Sequence, residues 1–492
     1  MRPLTRLRAA AALAAIAIGP SCAGEEAGAP PPAVRGVVLI CLDTLRADAV
    51  ESMPRLSAFA GTATRFSGAS SSSSWTAPSV ATLLTGLLPA QTGVRGPYKV
   101  GNLVPSVTTL AEALRERGWG TVAMTAGGWL HRTRGYEQGF DVYGEEFDKQ
   151  GPEASVAAWN GARAKDRSFF LFVHTLAAHD PYGRKPAPPA TPERRDALAA
   201  EARQVLGEAD FRTHPLSLEA GAWLVEKCLL DDAARTALGS VVPEASIGLL
   251  WDRLFEWLDG IGRGSPQAAA LAPLAERGYR AGLAFADEVF GRTMDALAAS
   301  ALPADTVVAV VSDHGELLGE HGTLSHGRWL HEELVRVPLF LRAPGALEAG
   351  EVPGSCGLVD VAPTLLELVG APPLPAADGR SLVPLARGKE AGHPVYAEEE
   401  RAVPRSRERV MRLASARTES AKYVVTFDRE TGALESEELY DLRADPRAKT
   451  PREATAEAIA ALDPALCRAV ERLRARVRPT RAPAACGAEI PR

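Results

Sequence analysis

Three polar residues of this 492-residue chain directly follow short apolar segments, a position that suits metal binding. Asp43 comes after Gly36–Leu42 (GVVLICL), and Asp313 and His314 come after Thr306–Ser312 (TVVAVVS). A carboxylate at the end of a buried strand is costly unless it meets a cation or hydrogen-bond donors. Carboxylate and imidazole groups are also common ligands of divalent metals. The pattern therefore predicts a metal site, with the alternative that Asp43 only caps a following helix.

Thr76 is a candidate nucleophile. It lies in the sequence WTAPSVATLLTG, after a run of serines. Pro78 suits the first turn of a helix, so Thr76 is expected at the N-terminus of a helix that runs towards Gly86. Free N–H groups and the positive end of the helix dipole would favour an alkoxide and an anionic ester there. The alternative is that Thr76 only caps the helix.

Short apolar runs predict the strands that must position these residues. The runs Gly36–Leu42, Phe169–His174 and Thr306–Ser312 are rich in β-branched or aromatic residues and suit strands buried on both faces. Helical patterns over Ser106–Gly118 and Tyr279–Ala299 lie between or beside them. This alternation predicts an α/β fold with a large, mostly parallel sheet flanked by helices. Because ligands bind beyond the carboxyl ends of such strands, Asp43 and Asp313 are expected to share one site.

The rest of the chain predicts two further regions. Residues 185–278 are rich in Ala, Glu, Leu and Arg and predict a helical insertion at the rim of a domain over 36–390. Residues 391–492 predict a smaller subdomain and tail, whose antiparallel sheet would use the strands His393–Glu398, Tyr423–Phe427 and Glu437–Leu442. The formal net charge of −6 offers no sign of the basic face that a nucleic-acid partner would need.

The N-terminus has the pattern of an export signal. Arginines precede an apolar run at 9–18, and small residues follow, which predicts a signal peptide over 1–22. Cys22 stands where a bacterial lipoprotein carries its lipidated cysteine, so membrane anchoring through Cys22 is an open alternative to release. Residues 23–35 are predicted to be a flexible linker. The expected location is therefore periplasmic or extracellular, with or without a lipid anchor.

Several motifs in order resemble the sulfatase family of the alkaline-phosphatase-like superfamily. They are VVLICLDTLRAD, WTAPSVATLLTG, HTLAAHDPY, VVSDHGELLGEHG, HEELVRVPLFLRAPG, LVDVAPTLLELVG and ELYDLRADP. The resemblance extends over about residues 36–446, and the 185–278 insertion fits it poorly. It implies the alkaline-phosphatase-like fold and a hydrolase or transferase of sulfate or phosphate esters.

The resemblance also implies roles for individual residues. One divalent ion (Mn, Zn, Mg or Ca) would be bound by Asp43, Asp313, His314 and the Thr76 oxygen. Thr76 matches the family's nucleophile, His179 matches a histidine on the substrate side, and His326 falls near a position that contacts the ester or the leaving group. His174 and His321 are candidates for a supporting or a structural role.

Departures from the family pattern bear on the mechanism. Sulfatases convert a Cys or Ser, followed by Pro and Arg, to formylglycine, whereas this chain has Thr76 and Val80 at the nucleophile and arginine positions. Threonine cannot yield the aldehyde. The second acidic ligand is replaced by Thr44, the segment VAMTAGGWLHRTRG lacks the usual lysine and histidine, and Thr92 stands where histidine is common. An unmodified threonine resembles relatives that transfer phosphoglycerol or phosphoethanolamine through a phospho-threonine.

Three functions remain open from the sequence. The first is a hydrolase of sulfate or phosphate monoesters or diesters, and the second is a transferase that moves a phosphate-bearing head group onto an envelope glycan or lipid. The third is a surface lipoprotein that has lost catalysis and binds sulfated or phosphorylated glycans. The expected partner is a sulfated or phosphorylated small molecule, glycan or lipid. The known transferases usually carry several membrane helices, whereas this sequence predicts none, which favours the hydrolase. The complete Asp43, Asp313 and His314 set argues against lost catalysis.

Overall fold

The computed structural model describes residues 34–96, 101–179, 191–206, 241, 266–403 and 406–477. The predicted signal peptide, Cys22 and nearly all of the predicted linker lie outside the described residues. So does most of the predicted 185–278 insertion, within which the helix Pro192–Leu206 and the first part of the helix Pro266–Ala299 are described. Within the described residues, no helix combines the length and the apolar character needed to cross a membrane.

Fourteen strands occur among the described residues, arranged in three sheets. In chain order they are β1 Gly36–Leu42, β2 Thr64–Ser70, β3 Gly120–Met124, β4 Val142–Gly144, β5 Phe169–Thr175, β6 Val307–Val311, β7 Leu317–Leu318, β8 Leu324–Ser325, β9 Leu339–Arg342, β10 Gly350–Gly357, β11 Val395–Val403, β12 Ser406–Arg417, β13 Ala421–Asp428 and β14 Leu434–Asp441. The largest sheet has the order β10-β2-β9-β6-β1-β5-β3-β4. Only β9 runs antiparallel to its neighbours in it, so the predicted mostly parallel sheet is confirmed.

The α-helices cover both faces of this sheet and pack beside the second sheet. Among the described residues they are Pro54–Ala60, Thr76–Thr85, Pro89–Thr92, Leu110–Glu116, Phe147–Gln150, Pro152–Ala162, Pro192–Leu206, Pro266–Ala299, Glu332–Val335, Val361–Leu368, Val383–Ala386, Ala456–Leu462 and Pro464–Val477. Alternate residues of β1 face opposite layers, with Leu39 packed towards the Thr76–Thr85 side and Ile40 towards the Pro266–Ala299 side. Burial on both faces explains why the strand is a continuous apolar run.

The register of the central strands brings their polar ends together. β1 pairs in parallel with β5 on one side and β6 on the other, and Cys41 is level with both His174 and Val311. The carboxyl ends of three adjacent strands therefore end at the same height. Asp43 and Asp313 follow two of these ends, as the sequence predicted, and the third strand carries His174.

The second large sheet is antiparallel, with the order β11-β12-β13-β14. One face packs on the Ala456–Leu462 and Pro464–Val477 helices through a core that includes Ile459, Leu466, Val470 and Leu473. The predicted C-terminal antiparallel sheet is thus confirmed, although β12 was not predicted. Helix bounds also differ from the prediction. The helix predicted over Ser106–Gly118 spans Leu110–Glu116, because Thr109 and Glu112 form a capping box at its start.

Candidate active site

Asp43, Asp313 and His314 form a cluster at the carboxyl end of the central strands. Each offers a ligand atom, the three atoms lie within 4.8 Å of one another, and all three side chains are fully buried. Asp43 Oδ1 and Asp313 Oδ2 are buried and have no hydrogen-bond partner. Buried carboxylate oxygens without donors are costly, and a cation bound at this cluster would compensate them.

Main-chain groups fix the orientation of the cluster. Asp313 Oδ1 accepts hydrogen bonds from the N–H groups of His314 at 2.9 Å and Thr44 at 3.3 Å. His314 Nδ1 lies 2.9 Å from the carbonyl oxygen of Gly315, so Nδ1 carries the proton and Nε2 presents its lone pair. Nε2 lies 3.6 Å from Asp43 Oδ1 and 3.5 Å from Asp313 Oδ2, which is where a shared cation would be met.

The two carboxylates have opposite pKa shifts. Burial and the neighbouring charge of Asp43 raise the pKa of Asp313 above its usual range. Burial also raises the pKa of Asp43, but the charge of His179 and a hydrogen bond from His174 outweigh it, and the net pKa lies below the usual range. His174 Nε2 lies 3.2 Å from Asp43 Oδ2. The neighbouring histidines therefore favour the charged form of Asp43, and a bound cation would favour the charged form of both carboxylates.

Thr76 is the first residue of the Thr76–Thr85 helix, as predicted, and its side chain faces the cluster. Thr76 Oγ1 lies 3.2 Å from Asp43 Oδ2 and 3.2 Å from His314 Nε2. Trp75 occupies the N-cap position and makes no side-chain cap. The Thr76 hydroxyl is thus directed at the acidic cluster rather than used to cap the helix, and it lies where the helix N–H groups are free.

His179 and His326 lie on the same side of the site as His314. The His326 ring centre is 4.5 Å from that of His314 and 4.9 Å from that of His179. His326 Nδ1 lies 3.2 Å from a carboxylate oxygen of Glu316, which is fully buried. The carboxylate assigns Nδ1 as the protonated nitrogen, which makes Nε2 the nitrogen able to exchange a proton with a bound ester.

A divalent cation fits the chemistry of these groups. The cluster supplies two carboxylates, an imidazole nitrogen and a hydroxyl oxygen, and two of the carboxylate oxygens have no other partner. Oxygen and nitrogen donors of this kind suit Mg, Mn, Zn or Ca. The residues that would hold the ion are Asp43, Asp313, His314 and Thr76.

The sequence profile of the sulfatase family matches residues 35–371, a range that contains every residue of this cluster. The chain belongs to the sulfatase family. A second profile, for the C-terminal region of N-sulphoglucosamine sulphohydrolase, matches residues 319–474.

Curated relatives of this sulfatase-family protein match it over part of their length. Choline-sulfatase of Rhizobium meliloti is 35% identical over 178 residues, which are 35% of this chain and 32% of the relative. N-acetylglucosamine-6-O-sulfatase of Bacteroides thetaiotaomicron is 31% identical over 180 residues, 35% of this chain and 30% of the relative. The matched segments thus span about a third of these curated relatives.

Among solved structures, a protein in complex with its substrate D-glucosamine-2-N,6-O-disulfate has a TM-score of 0.62 and 20% sequence identity. The match covers 90% of this chain and 98% of that one. At this identity the likeness shows the shared fold, in agreement with the alkaline-phosphatase-like fold expected from the sequence.

The other residues singled out in the sequence lie in different settings. His321 pairs with Glu333 at 3.1 Å and stacks on His331, and neither partner belongs to the carboxylate cluster. Thr92 hydrogen-bonds within its own short helix and turn. His174, by contrast, contacts Asp43 directly.

Thr44 replaces the expected second acidic ligand, and its backbone takes part in the site. It adopts a φ of 59°, a left-handed conformation that is unfavourable for a β-branched residue. Its N–H donates to Asp313, and its carbonyl accepts a hydrogen bond of 2.9 Å from the Tyr279 hydroxyl. The same hydroxyl accepts a 3.0 Å bond from the N–H of Arg46. The strained turn is therefore held from both sides, and Thr44 orients a ligand instead of being one.

Glu316 was missed by sequence reasoning. It stands two residues after His314, in the sequence SDHGE, and nothing in the composition around it distinguishes a buried carboxylate from a solvated one. Its proximity to His314 was the available signal. Its pairing with His326 depends on the β7–β8 hairpin, which folds the chain back on itself.

Proposed function

We propose that this protein is a metal-dependent hydrolase of sulfate or phosphate esters that uses the unmodified Thr76 hydroxyl as nucleophile. The observation that carries the proposal is the position of Thr76 Oγ1, 3.2 Å from both Asp43 Oδ2 and His314 Nε2 at a helix N-terminus. A hydroxyl placed there faces two ligands of the candidate ion and the end of the helix that favours anions.

When bound, a divalent ion supplies positive charge that lowers the pKa of a coordinated hydroxyl and offsets charge on the ester oxygens. The Thr76 oxygen attacks the sulfur or phosphorus, and the bond to the leaving oxygen breaks. The Thr76 hydroxyl donates to Asp43 Oδ2, which orients its oxygen for attack, and its proton is released to solvent. His326, oriented by Glu316, or His179 donates a proton to the leaving oxygen. Water then releases the sulfate or phosphate from Thr76.

Family membership and the named relatives support the proposed substrate class. Choline-sulfatase and N-acetylglucosamine-6-O-sulfatase support a sulfuric ester of a small alcohol or an amino sugar. The threonine at the nucleophile position favours phosphorus chemistry as the alternative at the same site. The signal-peptide pattern at residues 1–22 supports export, with or without a lipid on Cys22.

The test is steady-state hydrolysis of paired aryl sulfate, aryl phosphate and bis-aryl phosphate substrates with each divalent ion in turn. Wild type is compared with Thr76→Ala, which removes the hydroxyl, and Thr76→Ser, which keeps it. We expect metal-dependent turnover that falls by about a thousandfold or more in Thr76→Ala, as for loss of a nucleophile, and that persists in Thr76→Ser.

The preferred ester decides between sulfur and phosphorus. Mass spectrometry of wild type quenched during turnover should show sulfate or phosphate on the peptide that contains Thr76. Equal turnover by wild type and Thr76→Ala would overturn the role of Thr76. Folded protein without turnover of any ester, in the presence of any ion, would contradict the hydrolase.

A further inference from the structure

A run of buried serines precedes the nucleophile and forms a hydrogen-bonded segment of its own. In this serine segment, Ser71–Ser74, every residue is at most 1% exposed. Ser71 Oγ donates to the carbonyl of Ser73 at 2.7 Å, and Ser79 Oγ, in the helix that Thr76 begins, donates to the same carbonyl at 3.0 Å. The serine segment is thus tied to the first turns of the nucleophile's helix.

A carboxylate from the second sheet holds the end of the serine segment nearest to Thr76. Glu399, in β11, is 2% exposed. Its Oε2 accepts hydrogen bonds from Ser73 Oγ at 2.7 Å, Ser74 Oγ at 2.9 Å and the Ser74 N–H at 3.1 Å. Its Oε1 accepts from the N–H of Glu400 at 3.0 Å. Four donors thus converge on the buried Glu399 carboxylate. Two of them belong to Ser74, which lies two residues before Thr76 in the sequence.

Burial of the Glu399 carboxylate costs free energy, which calls for a compensating role. Burial raises the pKa of Glu399 to about 7, even though the Ser73 and Ser74 donors oppose the shift. A buried segment that only connected β2 to a helix could be satisfied by main-chain bonds, and one exists, from the Glu398 N–H to the Ser72 carbonyl at 2.9 Å. The side-chain bonds of Glu399 add a fixed geometry at Ser73 and Ser74 that this main-chain bond does not supply.

We propose that Glu399 is a positioning residue, which fixes Ser73 and Ser74 and thereby sets the distance of the Thr76 hydroxyl from Asp43. The inference rests on the proposed function, because it assigns Thr76 the attack. It gives one side chain of the second sheet a supporting role in the reaction, since the Glu399 carboxylate restrains the segment that carries the nucleophile. Polar networks of this kind hold reacting groups within a fraction of an ångström of their working geometry.

The test compares Glu399→Gln with Glu398→Gln as the matched control. Glutamine at 399 keeps the size and one acceptor, but its NH2 group opposes either the serine donors or the N–H of Glu400. Glu398 is also buried in β11, and its carboxylate pairs with Arg412 at 2.9 Å instead of with the serines. We expect Glu399→Gln to lower kcat by about 10- to 100-fold with KM within about threefold, because small misplacements of reacting groups cost rates of this order. Glu398→Gln should keep kcat within about threefold.

Two further measurements separate positioning from general destabilisation. Ser74→Ala, which removes one donor, should lower kcat less than Glu399→Gln, and the double variant should be no worse than Glu399→Gln alone. A crystal structure of Glu399→Gln should show the Thr76 hydroxyl displaced from Asp43 Oδ2. The crystal structure remains informative even if wild type hydrolyses none of the esters. Failure of the proposed function and failure of this inference are therefore distinguishable. Unchanged kcat, equal losses in both glutamine variants, or an unmoved Thr76 would overturn the inference.

Discussion

At the scale of single residues, Glu316 determines how His326 can act. The carboxylate is fully buried and lies 3.2 Å from His326 Nδ1, while the His326 ring lies 4.5 Å from that of His314. A carboxylate in this position fixes the tautomer and the ring orientation of the histidine, and it stabilises the imidazolium. A histidine so held is suited to deliver a proton to a leaving oxygen.

We therefore expect Glu316→Gln and His326→Ala to affect esters according to their leaving group. A nitrophenolate leaves without much help, whereas the alkoxide of a sugar or simple alcohol needs a proton in the transition state. Both variants should lose about 100-fold or more in kcat/KM on alkyl esters, and much less on nitrophenyl esters. Kinetics on a series of esters graded by leaving-group pKa measures this. An equal loss along the whole series would assign His326 to another step.

Residue types alone could indicate part of this site. Asp43, Asp313 and His314 were predictable because each follows an apolar run that had to be a central strand. Glu316 and Glu399 could not be predicted in the same way, since Glu316 meets His326 only across the β7–β8 hairpin and Glu399 meets the serine segment only through long-range folding. A glutamate in isolation reads as a solvated surface residue.

At the scale of elements, the turn after β1 depends on the long Pro266–Ala299 helix. Tyr279 of that helix is 2% exposed, and its hydroxyl bonds to the Thr44 carbonyl and the Arg46 N–H on either side of the turn. The turn contains the left-handed φ of Thr44, whose N–H binds Asp313. The helix thus supports the ligand geometry without contacting the candidate ion.

Tyr279→Phe should show the strength of this support. The variant leaves a buried carbonyl and a buried N–H without their shared partner, which costs about 1–3 kcal/mol of the free energy of unfolding. We also expect weaker metal binding, because Thr44 then orients Asp313 less firmly. Urea denaturation and titration of metal-free protein measure the two effects. Tyr143→Phe, at a partly buried tyrosine that bonds to the Leu130 carbonyl, is the control and should leave metal affinity unchanged.

The sequence predicts some strands of the fold better than others. β1, β5 and β6 agree with the sequence to within a residue or two because burial on both faces requires a continuous apolar run. β11 was predicted to end at Glu398 but continues to Val403, and β12 was not predicted. Their sequences, VYAEEERAV and SRERVMRLASAR, are too charged to read as strands. The charges are accommodated by partners elsewhere in the fold, such as Arg412 for Glu398 and Arg429 for Glu400.

At the scale of the whole molecule, a buried ionic cluster joins the two large sheets. Glu332, in the Glu332–Val335 helix that precedes β9 of the eight-stranded sheet, lies 3.1 Å from Arg417 at the end of β12 and 2.8 Å from Lys422 in β13. All three side chains are at most 5% exposed. A single carboxylate thus compensates two buried cations, so its removal leaves uncompensated charge between the sheets.

Glu332 also links the stability of the molecule to pH. Burial raises the pKa of its carboxyl, but the charges of Arg417 and Lys422 outweigh burial and lower it to about 2, against 4.5 for the free group. The unfolded chain therefore binds a proton at Glu332 that the folded chain does not bind between these two values. The stabilisation is complete above pH 4.5 and is lost as the pH falls towards 2.

The variant Glu332→Gln tests the contribution of this ionic cluster to stability. At pH 7 the variant should lose about 3–5 kcal/mol of the free energy of unfolding, the usual cost of breaking a buried pair by removing one partner. Its stability should also fall less steeply than that of wild type between pH 5 and the acid limit, because the titrating group is gone. Urea denaturation across this pH range measures both effects. Glu419→Gln, at an exposed position between Arg417 and Lys422, should change stability by less than about 0.5 kcal/mol. If the free energy of unfolding fell equally with pH in wild type and Glu332→Gln, other carboxyls, and not Glu332, would determine the loss of stability in acid.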